Sequence, residues 1–228
     1  MACKMGYGIL LWECGMSGKV TAMKVQKRNP QRVNIYLDGE YSFGLARITA
    51  AWLQIGQELS DDKIAELRAQ DSHEAAYQKA LHFLDYRPRS TAEVRRSLEK
   101  HGYAPEVIES VIQRLGHSEL VNDGQFAQTW VENRSEFRPR GRRLLSMELR
   151  QKGLDDEAIE SALEELDEAS LAYQAALKHK RKLQGLPKPD FRRKLAGFLA
   201  RRGFGYDVIE PVLEQVWQET LNTEENDE

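Results

Sequence analysis

Val94-Arg95-Arg96-Ser97-Leu98-Glu99-Lys100-His101-Gly102-Tyr103 decides the reading of this chain, because the stretch returns twice in altered form. Its second copy is Leu145-Ser146-Met147-Glu148-Leu149-Arg150-Gln151-Lys152-Gly153-Leu154, and its third is Leu195-Ala196-Gly197-Phe198-Leu199-Ala200-Arg201-Arg202-Gly203-Phe204. Each glycine is followed by the same apolar spacing: Val107-Ile108, Val111-Ile112 and Leu115; Ala158-Ile159, Ala162-Leu163 and Leu166; Val208-Ile209, Val212-Leu213 and Val216. The glycines lie 51 and 50 residues apart, a period that marks a stacked repeat array.

Apolar residues at i, i+1, i+4, i+5 and i+8 make one face of an amphipathic helix. The helix before each glycine ends by a capping rule. With Gly102 just past the end in a left-handed conformation, Leu98 and Tyr103 are the two residues that touch across a Schellman motif. Leu149 with Leu154 and Leu199 with Phe204 repeat the arrangement. Ser90-Thr91-Ala92-Glu93 reads as a capping box, Pro105 suits a first helical position, and Asp155 suits an N-cap. Further helical stretches precede each pair, at 73–86, 123–136 and 168–184. Three three-helix repeats result.

Upstream, Val33-Asn34-Ile35-Tyr36-Leu37 alternates in polarity, Asp38-Gly39 predicts a type I′ turn, and Glu40-Tyr41-Ser42-Phe43 completes a hairpin. Residues 21–27 supply a third strand, and short helices are expected over 46–54 and 61–70. The expected fold class is therefore mainly α: three tandem three-helix repeats in an elongated, curved array, preceded by a small β-hairpin or meander with a helix. The divisions read as an atypical extension over 1–18, a β-containing segment over 19–71, and repeats over 72–120, 121–167 and 168–219. A disordered acidic tail is expected over 220–228.

Composition excludes several classes. No run approaches the roughly 18 apolar residues that span a bilayer, so no membrane association is expected. Cys3 and Cys14, the only cysteines among 228 residues, match no zinc spacing and no disulfide framework, which points to a reducing cytoplasm. The foreign composition of the first 18 residues raises Met16 or Met23 as alternative starts of translation. The histidines (His73, His82, His101, His117, His179) lack metal-binding spacing, and no P-loop, dinucleotide fingerprint or nucleophile elbow occurs. The expectation is a chain with no catalytic residues, no metal and no cofactor, and not an enzyme. Trp52, Trp130 and Trp217 are expected to pack in cores.

Net charge is only −3, from 33 Lys and Arg against 36 Asp and Glu, but the signs are sorted. The second helix of each repeat and its approach are basic: Arg87, Arg89, Arg95 and Arg96; Arg138, Arg140, Arg142 and Arg143; Arg192, Arg193, Arg201 and Arg202. The third helices lean acidic. Arginine suits bidentate recognition of phosphate or carboxylate, so these twelve are the candidate residues for binding a partner or DNA. A basic region on a near-neutral chain fits a nucleoprotein better than free DNA.

The order of motifs resembles the RecX family of regulatory proteins. Residues 21–45 are similar to the N-terminal segment of its longer members. Ala80-Leu81-His82-Phe83-Leu84-Asp85-Tyr86-Arg87-Pro88-Arg89-Ser90 is similar to the first-repeat signature, and Leu120-Val121-Asn122-Asp123-Gly124-Gln125-Phe126-Ala127 to the second. Asn122 stands where the family usually has an aspartate. The resemblance covers about residues 20–218. It implies a monomeric modulator of the RecA recombinase that binds the RecA filament on single-stranded DNA and inhibits strand exchange, ATP hydrolysis and co-protease activity, in DNA repair and the SOS response. Weak direct DNA binding would accompany it. The competing readings are a direct DNA-binding helical-repeat protein, suggested by helix–Gly–helix pairs, and a helical scaffold for other proteins.

Overall fold

The alternating residues of the N-terminal segment form antiparallel strands because one face is apolar and can be buried. In the computed structural model, which describes residues 17–226, β1 (Gly18–Val25), β2 (Arg32–Leu37), β3 (Glu40–Ala46) and β4 (Glu58–Leu59) make one sheet in the order β3-β2-β1-β4. Asp38 and Gly39 both have positive φ, 49° and 88°, as the type I′ turn requires, and Leu37 pairs with Glu40 across it. Val20, Ile35 and Leu45 are fully buried, with Leu53 and Leu59 beside them. A chain begun at Met23 would lack Val20 and most of β1. Cys3, Trp12, Cys14 and Met16 lie outside the described residues.

The described residues fall into two compact units, one holding those up to His82 with Leu98–Val111, the other Phe83–Ser97 with those from Ile112 onward. In the first, α1 (Arg47–Ala50) follows β3, and α2 (Asp61–Leu84) begins after β4. Asp71 of α2 ties this unit together: its carboxylate accepts from the Ala46 amide at 2.5 Å and from the Arg32 guanidinium at 2.7 Å.

Beyond α2 come α3 (Thr91–Lys100), α4 (Pro105–His117), α5 (Asp123–Phe137), α6 (Arg142–Lys152), α7 (Asp156–Leu163), α8 (Glu168–Lys180), α9 (Lys188–Arg201) and α10 (Tyr206–Asn226). The chain is mainly helical, with the three-helix repeats that the spacing predicts. All three glycines close Schellman motifs. Gly102, Gly153 and Gly203 have φ of 79°, 84° and 86°. Tyr103, Leu154 and Phe204 donate their amides to the carbonyls of Leu98, Leu149 and Leu199 at 3.4, 3.2 and 3.3 Å. Gly102, Gly153 and Gly203 donate to Glu99, Arg150 and Ala200. The starts are capped as read: Ser90 Oγ accepts from the Glu93 amide, Asp155 from the Ala158 amide, and Pro105 opens α4. Asn122 caps α5 through the Gln125 amide.

Three expectations need correction, and one element was not expected. The helices expected over 61–70 and 73–86 are one, α2, since Asp71, Ser72 and His73 include no glycine or proline to break it. β4 is too short to show a pattern in sequence. Trp52, expected in a core, is 85% exposed. It follows α1 at a turn where Ala50 and Leu53 fill the interior. Finally, α10 runs through Asn226, where a disordered tail is read from 220. Propagating an existing helix through good formers such as Glu and Gln costs little.

Candidate functional site

Arg87-Pro88-Arg89 and Arg138-Pro139-Arg140 occupy equivalent places 51 residues apart, at the approach to α3 and α6. The proline holds each approach extended, so two guanidiniums flank each helix N-terminus. In the second compact unit the C-terminal end of the following repeat's second helix seats on each approach. Ser90, fully buried, donates its hydroxyl to the Lys152 carbonyl at 2.6 Å, and the Gly141 amide donates to the Arg202 carbonyl at 2.9 Å. A Cβ on Gly153 would collide with Ala92, and one on Gly203 with Leu144. Asp123 accepts from the Thr91 amide, and Glu168 from the Arg142 amide. The side chain at the helix end also reaches back: Lys152 to Glu93 at 3.0 Å, Arg202 to the Pro139 carbonyl at 3.1 Å.

The two junctions differ in charge. At the first, Glu93 accepts from Arg87 at 2.8 Å and from Lys152, so it answers two cations. Burial would raise its pKa, but hydrogen bonds from Arg87 and then Lys152 outweigh that and hold it at about 2. A folded-state pKa below the unfolded one means this carboxylate stabilises fully above the usual glutamate range near pH 4.5, and the contribution is lost as pH falls toward 2. Thermal unfolding of wild type and Glu93→Gln should therefore differ most at pH 6, and the gap should shrink below pH 4.5 and close only as pH approaches 2. A gap that is constant with pH would contradict the assignment.

At the second junction Glu148, 9% exposed, is the hub. It accepts from Trp130 Nε1 at 2.9 Å and Arg134 Nε at 3.2 Å, and pairs closely with Arg140. Arg138 and Arg202 stand near enough that, after burial, neighbouring guanidiniums lower the proton affinity of Arg140 and Arg202 below the ordinary arginine value. All remain charged. Two arginines thus answer one carboxylate, and Arg138 and Arg202 crowd Arg140 from beside it. Arg202 also lies over the Phe198 ring at 4.6 Å, and His179 stacks on the same ring at 3.8 Å. Burial, then Lys182, Arg202 and Arg201, lower the His179 pKa, leaving a neutral ring in a cationic setting.

The twelve candidate arginines all fall in this unit but do not act alike. Arg87 and Arg140 are spent on Glu93 and Glu148, and Arg192 on Glu210 at 2.5 Å and Glu214 at 2.9 Å. Arg193 holds Asp190 from an exposed position, and Arg142 reaches Glu168 only at 4.0 Å. Arg95 is half-buried and has a partner within the chain. Arg96, Arg138, Arg143 and Arg201 are exposed. Arg89 is different again: its guanidinium lies over the Phe83 ring at 4.1 Å, with Nε buried and unpaired among the described residues. Burial, then Arg87, lower its proton affinity. A planar cation held flat on an aromatic ring is pre-organised for an incoming oxyanion. Sequence reading missed Arg134 and Lys152 as members of these clusters, although the recurring Arg-Pro-Arg was there to find them. Among the described residues, no group of acidic residues, histidines and cysteines could hold a metal ion.

Matches to known proteins follow this plan along the chain. The family models for the first, second and third three-helix domains of RecX match residues 76–115, 122–163 and 166–213, and the model for the N-terminal domain of regulatory protein RecX matches 18–60. The chain belongs to the RecX family. Regulatory protein RecX of Bacillus subtilis (strain 168) is 35% identical over 203 residues, covering 86% of this chain and 76% of the relative. Regulatory protein RecX of Listeria monocytogenes (serovar 1/2a) is 31% identical, covering 82% and 71%. A crystal structure of regulatory protein RecX matches with a TM-score of 0.71 at 28% identity, over 86% of this chain and 98% of that one. RecX from Lactobacillus salivarius matches with a TM-score of 0.60 at 25% identity, over 64% and 97%. The RecX relatives are named as regulatory proteins and not as enzymes. Among the described residues no helix is long and apolar enough to cross a membrane.

Proposed function

We propose that this RecX-family chain binds the RecA filament on single-stranded DNA and restrains its recombinase, ATPase and co-protease activities, serving DNA repair and the SOS response from the cytoplasm. It acts as a monomer, by binding, through residues 72–120, 121–167 and 168–219, with residues 19–71 as an accessory segment. The observation that carries the reading is the crowding of Arg134, Arg138 and Arg202 near Arg140, where Glu148 answers only Arg134 and Arg140, in a chain whose net charge is −3. Such a surplus is repulsive in the free chain and is relieved by an anionic partner. Modest contacts on consecutive repeats add through effective concentration when the partner is itself a polymer.

The test is binding to single-stranded DNA with and without RecA and ATP. The variant Arg96→Glu, Arg138→Glu, Arg143→Glu, Arg201→Glu changes exposed side chains, so it should melt as wild type does yet bind the filament at least tenfold more weakly. Arg89→Ala alone should weaken binding severalfold. Full filament binding by the folded quadruple variant would overturn the assignment of the surface. Tight binding to naked duplex without RecA would favour the direct DNA-binding reading, and binding to neither would favour a scaffold.

A further inference from the structure

A second surface of opposite character lies in the second repeat. α5 and α7 flank a furrow of about 590 Å³. From α5 it is lined by Gly124, Gln128, Val131, Glu132 and Ser135, and from α7 by Ala158, Ser161 and Ala162, continuing into Glu164, Glu165 and Leu166 and closed at one end by Asp167, Ser170 and Leu171 at the start of α8. The floor is small or apolar. The rim is acidic, and no lysine or arginine lines it. Glu132, Glu164 and Glu165 are exposed and make no ion pair among the described residues.

The repeat itself supplies the comparison that makes the furrow informative. At the positions of Ala158 and Ala162, the first repeat has Val107 and Val111 and the third has Val208 and Val212. The Glu164-Glu165 pair aligns with Gln113-Arg114 in one and Glu214-Gln215 in the other. Only the second repeat combines the missing methyl groups with the unneutralised carboxylates. A generic solvated helix face would not need smaller residues on its inward edge. A furrow between two helices, floored by small side chains, accepts the side-chain ridge of a third, and the acidic rim selects its flanks.

We infer that the α5–α7 furrow is a docking site for a basic amphipathic helix of a protein partner. The apolar ridge of that helix enters over Ala158 and Ala162, and its lysines or arginines pair with Glu132, Glu164 and Glu165. The mode is helix-in-groove recognition, with charge complementarity setting the choice of partner.

The test uses the full chain and a fluorescein-labelled 20-residue helical peptide with a leucine stripe flanked by lysines, followed by fluorescence anisotropy. Its control replaces every lysine with glutamate. No RecA is present, so the outcome is independent of the filament reading. Ala158→Val with Ala162→Val installs what the other repeats carry; it should keep or raise the melting temperature and weaken the peptide at least tenfold. Glu132→Gln, Glu164→Gln, Glu165→Gln should weaken it to a similar degree. Unchanged binding by the valine variant would overturn the site, because it would leave only long-range attraction, and so would equal binding of the acidic control.

Discussion

Gly203→Ala is expected to destabilise the second compact unit by about 3 kcal/mol, far more than the same change at Gly102. Both glycines have left-handed φ, 86° and 79°, so either substitution carries about 1–2 kcal/mol of backbone strain. The surroundings separate them. A Cβ on Gly102 meets nothing within 4 Å, whereas one on Gly203 runs into the Cβ and backbone of Leu144. Overpacking against backbone adds about 1–3 kcal/mol. Gly153→Ala, which meets Ala92, should fall near Gly203→Ala. Chemical denaturation of the three variants should therefore rank Gly102 well above the other two in residual stability. Equal losses at all three would show that only the helix-end conformation matters and that the seats on Ala92 and Leu144 do not.

Glu148→Ala is the second change with a large expected effect, about 2–3 kcal/mol. Removing one partner of a fully buried ion pair costs about 3–5 kcal/mol, because it leaves the other charge uncompensated. The value here is lower because the Arg134 and Arg140 side chains are each 24% exposed and water can approach them. The loss has three parts: the Trp130 indole loses its acceptor, two guanidiniums lose their counter-ion, and their repulsion from Arg138 and Arg202 is no longer offset. Intrinsic fluorescence should report the indole directly, and urea titration the stability. Adding Arg140→Leu to Glu148→Ala should recover part of the loss, since it removes one of the stranded charges. A double variant less stable than Glu148→Ala would argue against this account.

The parts of the fold that were legible in sequence are those decided within a few residues. A Schellman motif needs a glycine, an apolar residue four before it and one just after, and all three lie in a single stretch of the chain. The Asp38-Gly39 turn is equally local. The site was legible only as a list of arginines. Which of them keep their charge available depends on how the helices pack each against a carboxylate outside its own motif: Glu93 for Arg87 and Lys152, Glu148 for Arg134 and Arg140, Glu210 and Glu214 for Arg192. Glu148 did leave one trace. It sits beside Leu149 on the inward face of α6, where a carboxylate needs cations to be tolerable. Trp52 misled because large aromatic residues are usually buried, and nothing local reports that the neighbouring interior is already full.

The way each second helix seats on the preceding one also bears on what can be cut away. The last carbonyls of α9 meet the first amides of α6, and the last carbonyls of α6 meet the start of α3. The negative end of one macrodipole is thus placed against the positive end of the next, and groups that water would otherwise have to solvate satisfy one another. A chain truncated after residue 167 would strand the Gly141 amide and leave the α6 N-terminus without the end of α9. The third repeat is in this sense the terminal cap of the second, and fragments should be designed to end on a replacement for it.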